Sequence, residues 1–467
     1  MMRHKKTKYI LCFLLIGTIV AALCGCNSEK VTFAPMEAEK VNTFTFASTG
    51  GADVMQIAVY YGPMDSTYSY SGEKQPNFIT DEWFEIIADS GVNLISHSYT
   101  DYASQPQNVI KMLQLGEKYG LGVCVYDSSI SNSTSISLEQ MSECMSEYSN
   151  YPAFSGLYVV DEPQWIDYHL GDGTRTIDRY APILSNLAEL GVYGYANALP
   201  DYGNYKSENY AAYLDYFIES CSLPYLSYDS YVWDEGRTKD NYFYNLSVVR
   251  ERAMAHSIPF WTFIQAGSQW NDDQSRFDSE TPYYPNEKQF QWNVNVNLAY
   301  GAQGIEYFTI FQPNYFAWAE SKPFDFQRNG MIGAWGNLNE WYYYAQTVNK
   351  QIAAVDNVLM HAKNKGVIVT GTQAKKDNAL STCIIDGESW RELVRVDGDA
   401  MIGCFNYQGR TALYVVNYDY EYAQNITLDF NDKYNVTVTY DAEESHVHTN
   451  QLTLTMDAGH GALVTFD

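Results

Sequence analysis

Six short apolar runs in this chain stop at residues that can do chemistry: His97, Asp127, Asp161 with Glu162, Asn197, Asp229 and Gln265. Aromatic side chains stand beside nearly all of them, namely Tyr61, Tyr99, Tyr126, Trp165, Tyr195, Tyr228, Tyr231, Trp233 and Trp270. Tyr and Trp offer flat apolar faces with a polar tip, which suits sugar rings. Two carboxyls set among such faces can cleave a glycosidic bond. One protonates the leaving oxygen, and the other attacks or activates water. Glu162 is expected to be the acid, because it ends a run, precedes the turn-forming Pro163 and lies near apolar residues that raise a carboxyl pKa. Asp229 is expected to be its partner, as nucleophile or base, with Asp127 as the alternative. Tyr61, His97, Asp127, Asp161, Trp165, Asn197, Tyr231, Gln265 and Trp270 are expected to hold substrate. The competing expectation is that some of these carboxylates cap helices or pair with arginine. Glu306 comes well before the end of its own run at Phe311, roughly 16 Å below the rim at strand rise, and is expected in a buried hydrogen-bond network.

Elements that alternate along the chain must position these residues. Apolar runs at 55–61, 93–97, 122–126, 156–160, 192–196, 224–228, 259–264 and 304–311 are separated by stretches with helical spacing. Trp83, Phe84, Ile86 and Ile87 follow a capping Thr80 or Asp81, and Ser137 with Gln140 has capping-box spacing. A last helix is expected over 337–360. Eight strand–helix pairs predict an α/β fold, a (β/α)8 TIM barrel over 43–363, whose chemistry sits at the C-terminal strand ends. A doubly wound open sheet is disfavoured, since neither Gly50-Gly51 nor Gly301-Ala302-Gln303-Gly304 has the spacing of a nucleotide loop. From 364 to 467, alternating and β-branched runs separated by turn residues predict a small antiparallel β-sandwich.

Three segments resemble known enzymes. Tyr158-Val159-Val160-Asp161-Glu162-Pro163 resembles the acid/base motif at the fourth strand of clan A glycoside hydrolases. Leu226-Ser227-Tyr228-Asp229 and the segment 299–308 are similar to glycoside hydrolase family 42-like bacterial lipoproteins. The resemblance implies a barrel enzyme that hydrolyses O-glycosidic bonds of an oligo- or polysaccharide, with Glu162 as its acid and a C-terminal accessory domain. One departure stands out. Clan A enzymes place a glutamate nucleophile at the end of strand seven, where this chain has the amide Gln265, which cannot attack as an anion. The alternative is therefore a carbohydrate-binding surface lipoprotein without catalysis.

The N-terminus predicts where the protein works. Arg3, Lys5, Lys6 and Lys8 precede an apolar stretch at 10–23 that is too short to span a membrane. Residues 1–25 read as an export signal. Leu23-Cys24-Gly25-Cys26 resembles a lipobox, which implies a lipid on Cys26, a polar tether over 26–42 and residence at the bacterial cell envelope. Contact with membrane is then expected through the lipid alone. Acidic residues outnumber basic ones 56 to 29, the wrong balance for a nucleic-acid binder. No zinc-type cysteine spacing exists, and His446 with His448 alone are too few for a metal, so neither metal nor cofactor is expected.

Overall fold

The computed structural model describes residues 36–466, apart from 68, 71–72, 134, 167–172, 235–236, 268–282, 313–327 and 373–389. Eight parallel strands close into a barrel: β1 (Gln56–Val59), β2 (Leu94–Ile95), β3 (Gly122–Tyr126), β4 (Phe154–Asp161), β5 (Gly194–Ala198), β6 (Leu226–Tyr228), β7 (Phe260–Gln265) and β8 (Gly304–Phe308). Each pairs with the next in sequence, and β8 closes on β1 with Gly304 opposite Gln56. A helix follows each strand: α1 (Asp81–Asp89), α2 (Pro106–Tyr119), α3 (Leu138–Met145), α4 (Thr176–Glu189), α5 (Tyr210–Cys221), α6 (Tyr242–His256), α7 (Glu287–Ala299) and α8 (Glu340–Ala353). This is the (β/α)8 barrel the alternation predicts. Thr80 caps α1, and reciprocal capping boxes open α3 at Ser137 and α7 at Asn286, so these helices start where orphan N–H groups find side-chain acceptors.

Strand parity decides what faces the axis. Ile57, Val59, Ile305 and Tyr307 pack outward with the helices, while Ala58 and Tyr60 belong to clusters inside the barrel. The lower mouth is plugged by Phe44, Phe46, Tyr193, Tyr225 and Trp261. Tyr225 and Trp261 stack there with centroids 3.9 Å apart. Gly304 makes room for this stack, since a Cβ at that position would lie 2.6 Å from the Trp261 ring. The upper mouth is thereby left as the open end.

The C-terminal strands are β9 (Ala362–Val369), β10 (Leu393–Asp397), β11 (Ala400–Tyr407), β12 (Arg410–Asn417), β13 (Gln424–Tyr440), β14 (Glu443–Met456) and β15 (Gly461–Phe466). They form an antiparallel domain, hydrogen-bonded in the order β9-β11-β12-β15-β13-β10 with β14 also on β13. Leu413, Val415, Ile426, Leu428, Val438 and Val464 share its core. Turn residues suggest a break near 431, yet β13 runs through it. The extra residues are absorbed as a register shift between Asp429 and Tyr434, and Asn431 N–H still reaches Glu392 O at 2.9 Å. Residues 37–42, the end of the expected polar tether, make contacts with the fold. Glu39 pairs with Lys365 at 2.7 Å, and Asn406 Nδ2 donates to Glu37 O at 2.8 Å.

Candidate active site

The upper mouth is organised by a bulge in β4. Tyr158 pairs with Tyr195 on β5, but the next pair is Val160 with Ala196, so β4 has one residue too many. Val159 and Val160 both pack outward against the helical layer. The inward place opposite Asn197 falls to Asp161. Glu162 is exposed, with its backbone in the left-handed region at φ 52° and its N–H on Asn197 O at 3.0 Å. Bulges of this kind re-aim side chains beside functional sites.

Asp161 belongs to a hydrogen-bonded chain that crosses four strands. The Tyr60 hydroxyl donates to Asp161 Oδ2 at 2.7 Å and lies 2.7 Å from the Tyr158 hydroxyl. Asn197 Nδ2 donates to Asp161 Oδ1 at 3.1 Å and to Asp229 Oδ1 at 3.0 Å. Ser227 Oγ in turn donates to Asn197 Oδ1 at 2.9 Å, which fixes the amide's orientation. The two carboxylate oxygens share one nitrogen at 3.1 Å and 3.0 Å, so they lie at most about 6 Å apart. Burial raises the Asp161 pKa, while the bonds from Tyr60 and Asn197 oppose the shift. Tyr231 is pushed well above the ordinary phenol range by burial first and by the charges of Asp229, Glu162 and Asp161 after it.

One layer deeper, Glu306 is fully buried and accepts from Tyr195 at 3.2 Å and from Ser96. It is the network residue its sequence position suggests, but the depth differs. β8 ends at Phe308, two residues on, rather than at Phe311. Burial pushes the Glu306 pKa up to about 8, helped by the Asp161 and Asp229 charges.

The remaining expected residues divide. His97 is buried and stacked on Tyr158, with centroids 3.8 Å apart, and burial holds its pKa down to about 3. Tyr61 packs against Tyr60, Tyr99 and Phe308 at the same mouth. Gln265 is buried and donates to Gly267 O at 3.2 Å, leaving its Oε1 without a partner among the described residues. Asp127 stands outside the cluster. It caps the helical turn Ser128–Ser131 through Ser129 and accepts from Tyr148 at 2.9 Å, the capping role weighed against a sugar-binding one. Trp165 has Arg175 over its ring at 4.7 Å and Tyr216 against it, so part of its surface is taken by protein. Trp270 and Cys26 lie outside the described residues. Sequence reading missed the roles of Tyr60, Tyr158 and Ser227. The parity that turns Ala58 inward marks Tyr60 as well, so that signal was present.

No family model matches the chain, and no curated protein matches it. Solved structures do. A β-galactosidase from the psychrophilic Marinomonas ef1 matches at 10% identity over 66% of this chain and 62% of its own, with a TM-score of 0.44. A noncanonic maltogenic α-amylase from Thermotoga neapolitana matches at 11% identity over 89% of this chain and 99% of its own, with a TM-score of 0.45. A GH99 endo-α-mannosidase from Bacteroides thetaiotaomicron matches at 16% identity over 65% of this chain and 95% of its own, with a TM-score of 0.38. This chain thus spans less than two thirds of the β-galactosidase. These neighbours are glycoside hydrolases of different families, and the likeness is one of fold.

Among the described residues, one group has the spacing to hold a metal: Asp441, Asp457 and His460, on the C-terminal domain. His446 and His448 bond instead to Thr437 and Asn435. The mouth itself offers paired carboxylates, one carrying a raised pKa, in a ring of tyrosines. That set can deliver and accept a proton across a sugar.

Proposed function

We propose that the protein hydrolyses O-glycosidic bonds of an oligo- or polysaccharide at the upper barrel mouth. The observation that carries this reading is the pairing of Asp161 and Asp229 through one amide nitrogen. Asp161 is the proton donor: it faces inward, and burial favours its protonated form. Asp229, held by Asn197 at the end of β6, acts as nucleophile or base. This assignment moves the acid one residue from Glu162, which stands exposed at the mouth. Family 42-like ancestry and a lipid on Cys26 that keeps the protein at the cell envelope belong to the same proposal, supported by the sequence motifs alone.

The experiment is a screen of released sugars from plant, host and microbial glycans, followed by Asp161→Asn, Glu162→Gln and Asp229→Asn on the substrate found. Losses of about 10³-fold or more are expected for both aspartates, with a smaller loss for Glu162→Gln. The reverse order returns the proton donor to Glu162. A second reading, binding without turnover, is favoured by the amide Gln265 at the end of β7. Saturable glycan binding with no product across the panel would establish it.

A further inference from the structure

Beside the paired carboxylates, an open pocket of about 390 Å³ runs from the ends of β2, β3 and β4 toward α4. That volume is in the range of small-molecule sites. His97, Tyr126, Asn132, Tyr158, Asp161 and Tyr180 contribute to its wall. Asp161 links it to the proposed reaction centre, so a chain cleaved there can continue into it.

The wall has a specific chemical character. The His97 Nδ1 is buried and has no hydrogen-bond partner among the described residues. A buried polar atom without a partner costs free energy that a ligand can return. Burial keeps this imidazole neutral, so its Nδ1 is a donor in one tautomer and an acceptor in the other. A hydroxyl satisfies either tautomer. A carboxylate or sulfate satisfies only one.

Among the described residues no Lys or Arg belongs to the wall, and Asp161 is part of it. Arg179 lies against the Tyr180 ring, 5.4 Å from its centroid, and is not part of the wall. The whole chain carries a net charge of −27, which repels anionic polymers at longer range. Tyr126 and Tyr180 supply aromatic surface, and the Asn132 amide supplies both donor and acceptor.

We propose that this pocket is a subsite for a neutral, hydroxyl-rich sugar ring, so that the substrate is a neutral glycan rather than a uronate-, sialate- or sulfate-bearing one. The inference rests on the glycan-hydrolysis reading for its ligand class. It goes further by naming where the neighbouring ring sits and which glycans are refused.

The test uses the full chain carrying Asp229→Asn, titrated calorimetrically with tri- to hexasaccharides of glucose, galactose, mannose and xylose. Oligogalacturonides and oligoalginates form the acidic arm. At least one neutral series is expected to bind, with no heat from the acidic arm. Adding His97→Phe, which keeps the stack on Tyr158 but removes the nitrogen, is expected to weaken binding about 10-fold. Asn132→Ala, on the exposed part of the wall, provides a second variant with little risk to folding. Unchanged affinity in both variants overturns the proposal. So does acidic binding as tight as neutral binding, or no neutral binding at all. Wild-type hydrolysis with unaffected pocket variants overturns this inference alone. Binding lost in the pocket variants without wild-type turnover supports the pocket and removes the hydrolysis reading.

Discussion

The Tyr60 hydroxyl reaches across the barrel mouth to Asp161, 2.7 Å from Oδ2, and ties β1 to a strand that is not its neighbour. While Asp161 is ionised and accepts this bond, the Tyr158 hydroxyl donates to Tyr60. The bond favours the charged form of Asp161 and opposes the upward shift caused by burial.

Removing that hydroxyl therefore moves Asp161 further from ordinary carboxylates. Tyr60→Phe keeps the ring among Tyr61, Tyr195 and Phe263. A hydrogen bond to a charged group is worth about 1.5–3 kcal/mol, so a rise of about one pH unit or more is expected in the Asp161 pKa. The limb of the kcat/KM profile on which the acid loses its proton then moves to higher pH. An unmoved alkaline limb would take Asp161 out of the proton-donor role.

Stereochemistry follows from the shared amide nitrogen. Carboxyl groups about 5–5.5 Å apart leave no space for a catalytic water and imply retention, whereas about 6.5–9.5 Å implies inversion. The oxygens of Asp161 and Asp229 that meet at Asn197 Nδ2 are at most about 6 Å apart, on the retaining side. Proton NMR of the first product formed should give the anomer of the substrate. First-formed product of the opposite anomer would require water between the carboxylates and a different pair.

The barrel was legible because its strands, buried on both faces, are short continuous apolar runs, and the stretches between them carry helical spacing. The candidate site was legible in its strand-end residues, Asp161 among them, but not in which member of the Asp161-Glu162 pair turns inward. Counting by twos from Tyr158 puts Glu162 on the inward face. The bulge after Tyr158 spends one residue on Val159 and Val160, both outward, and delivers Asp161 instead. Nothing in a run of apolar β-branched residues announces such an insertion, because either valine packs outward equally well. Asp127 misled for a related reason. An Asp at a strand end that precedes Ser-Ser reads equally as a rim carboxylate and as a helix cap, and only the presence of Tyr148 decides.

Glu306 makes a prediction about stability and pH. Its folded-state pKa is raised to about 8, against roughly 4.3 for a free glutamate. Below pH ~4.3 both states carry the proton, and the contribution is fully present. As pH rises toward 8 the unfolded chain releases a proton that the folded chain keeps, so stability falls, by up to about 5 kcal/mol across the window. Glu306→Gln removes the titration while leaving an acceptor for Ser96 and Tyr195. Urea unfolding at pH 5 and pH 9 should give a smaller difference for the variant than for the wild type. Equal differences would mean that Glu306 is charged in the folded state throughout.

The last prediction concerns what the C-terminal domain does for the barrel. α7 is buried from Gln289 to Ala299, with different faces serving different neighbours. Phe290 stacks on Tyr307 of β8, and Asn293 and Asn297 donate to the Tyr242 hydroxyl on α6 at 2.9 Å and 2.8 Å. On another face, Trp292 Nε1 donates to Tyr418 O at 2.9 Å, and Asn295 Nδ2 to Gly459 O at 3.0 Å. Asn295 also accepts from the Tyr414 hydroxyl at 2.7 Å, and the last residue, Ala299, accepts from Asn364 Nδ2 at 2.9 Å. Residues 292, 295 and 299 recur at helical spacing, so one stripe of α7 is built for the sheet. A chain ending after Met360 uncovers that stripe and exposes a buried tryptophan with its amide neighbours. Truncation is therefore expected to give aggregated protein, even though no proposed catalytic residue is removed. Trp292→Ala in the full chain isolates the contact and should cost about 3–5 kcal/mol in chemical unfolding. If the truncated chain were monomeric, with wild-type melting temperature and turnover, the C-terminal domain would have no part in supporting the barrel.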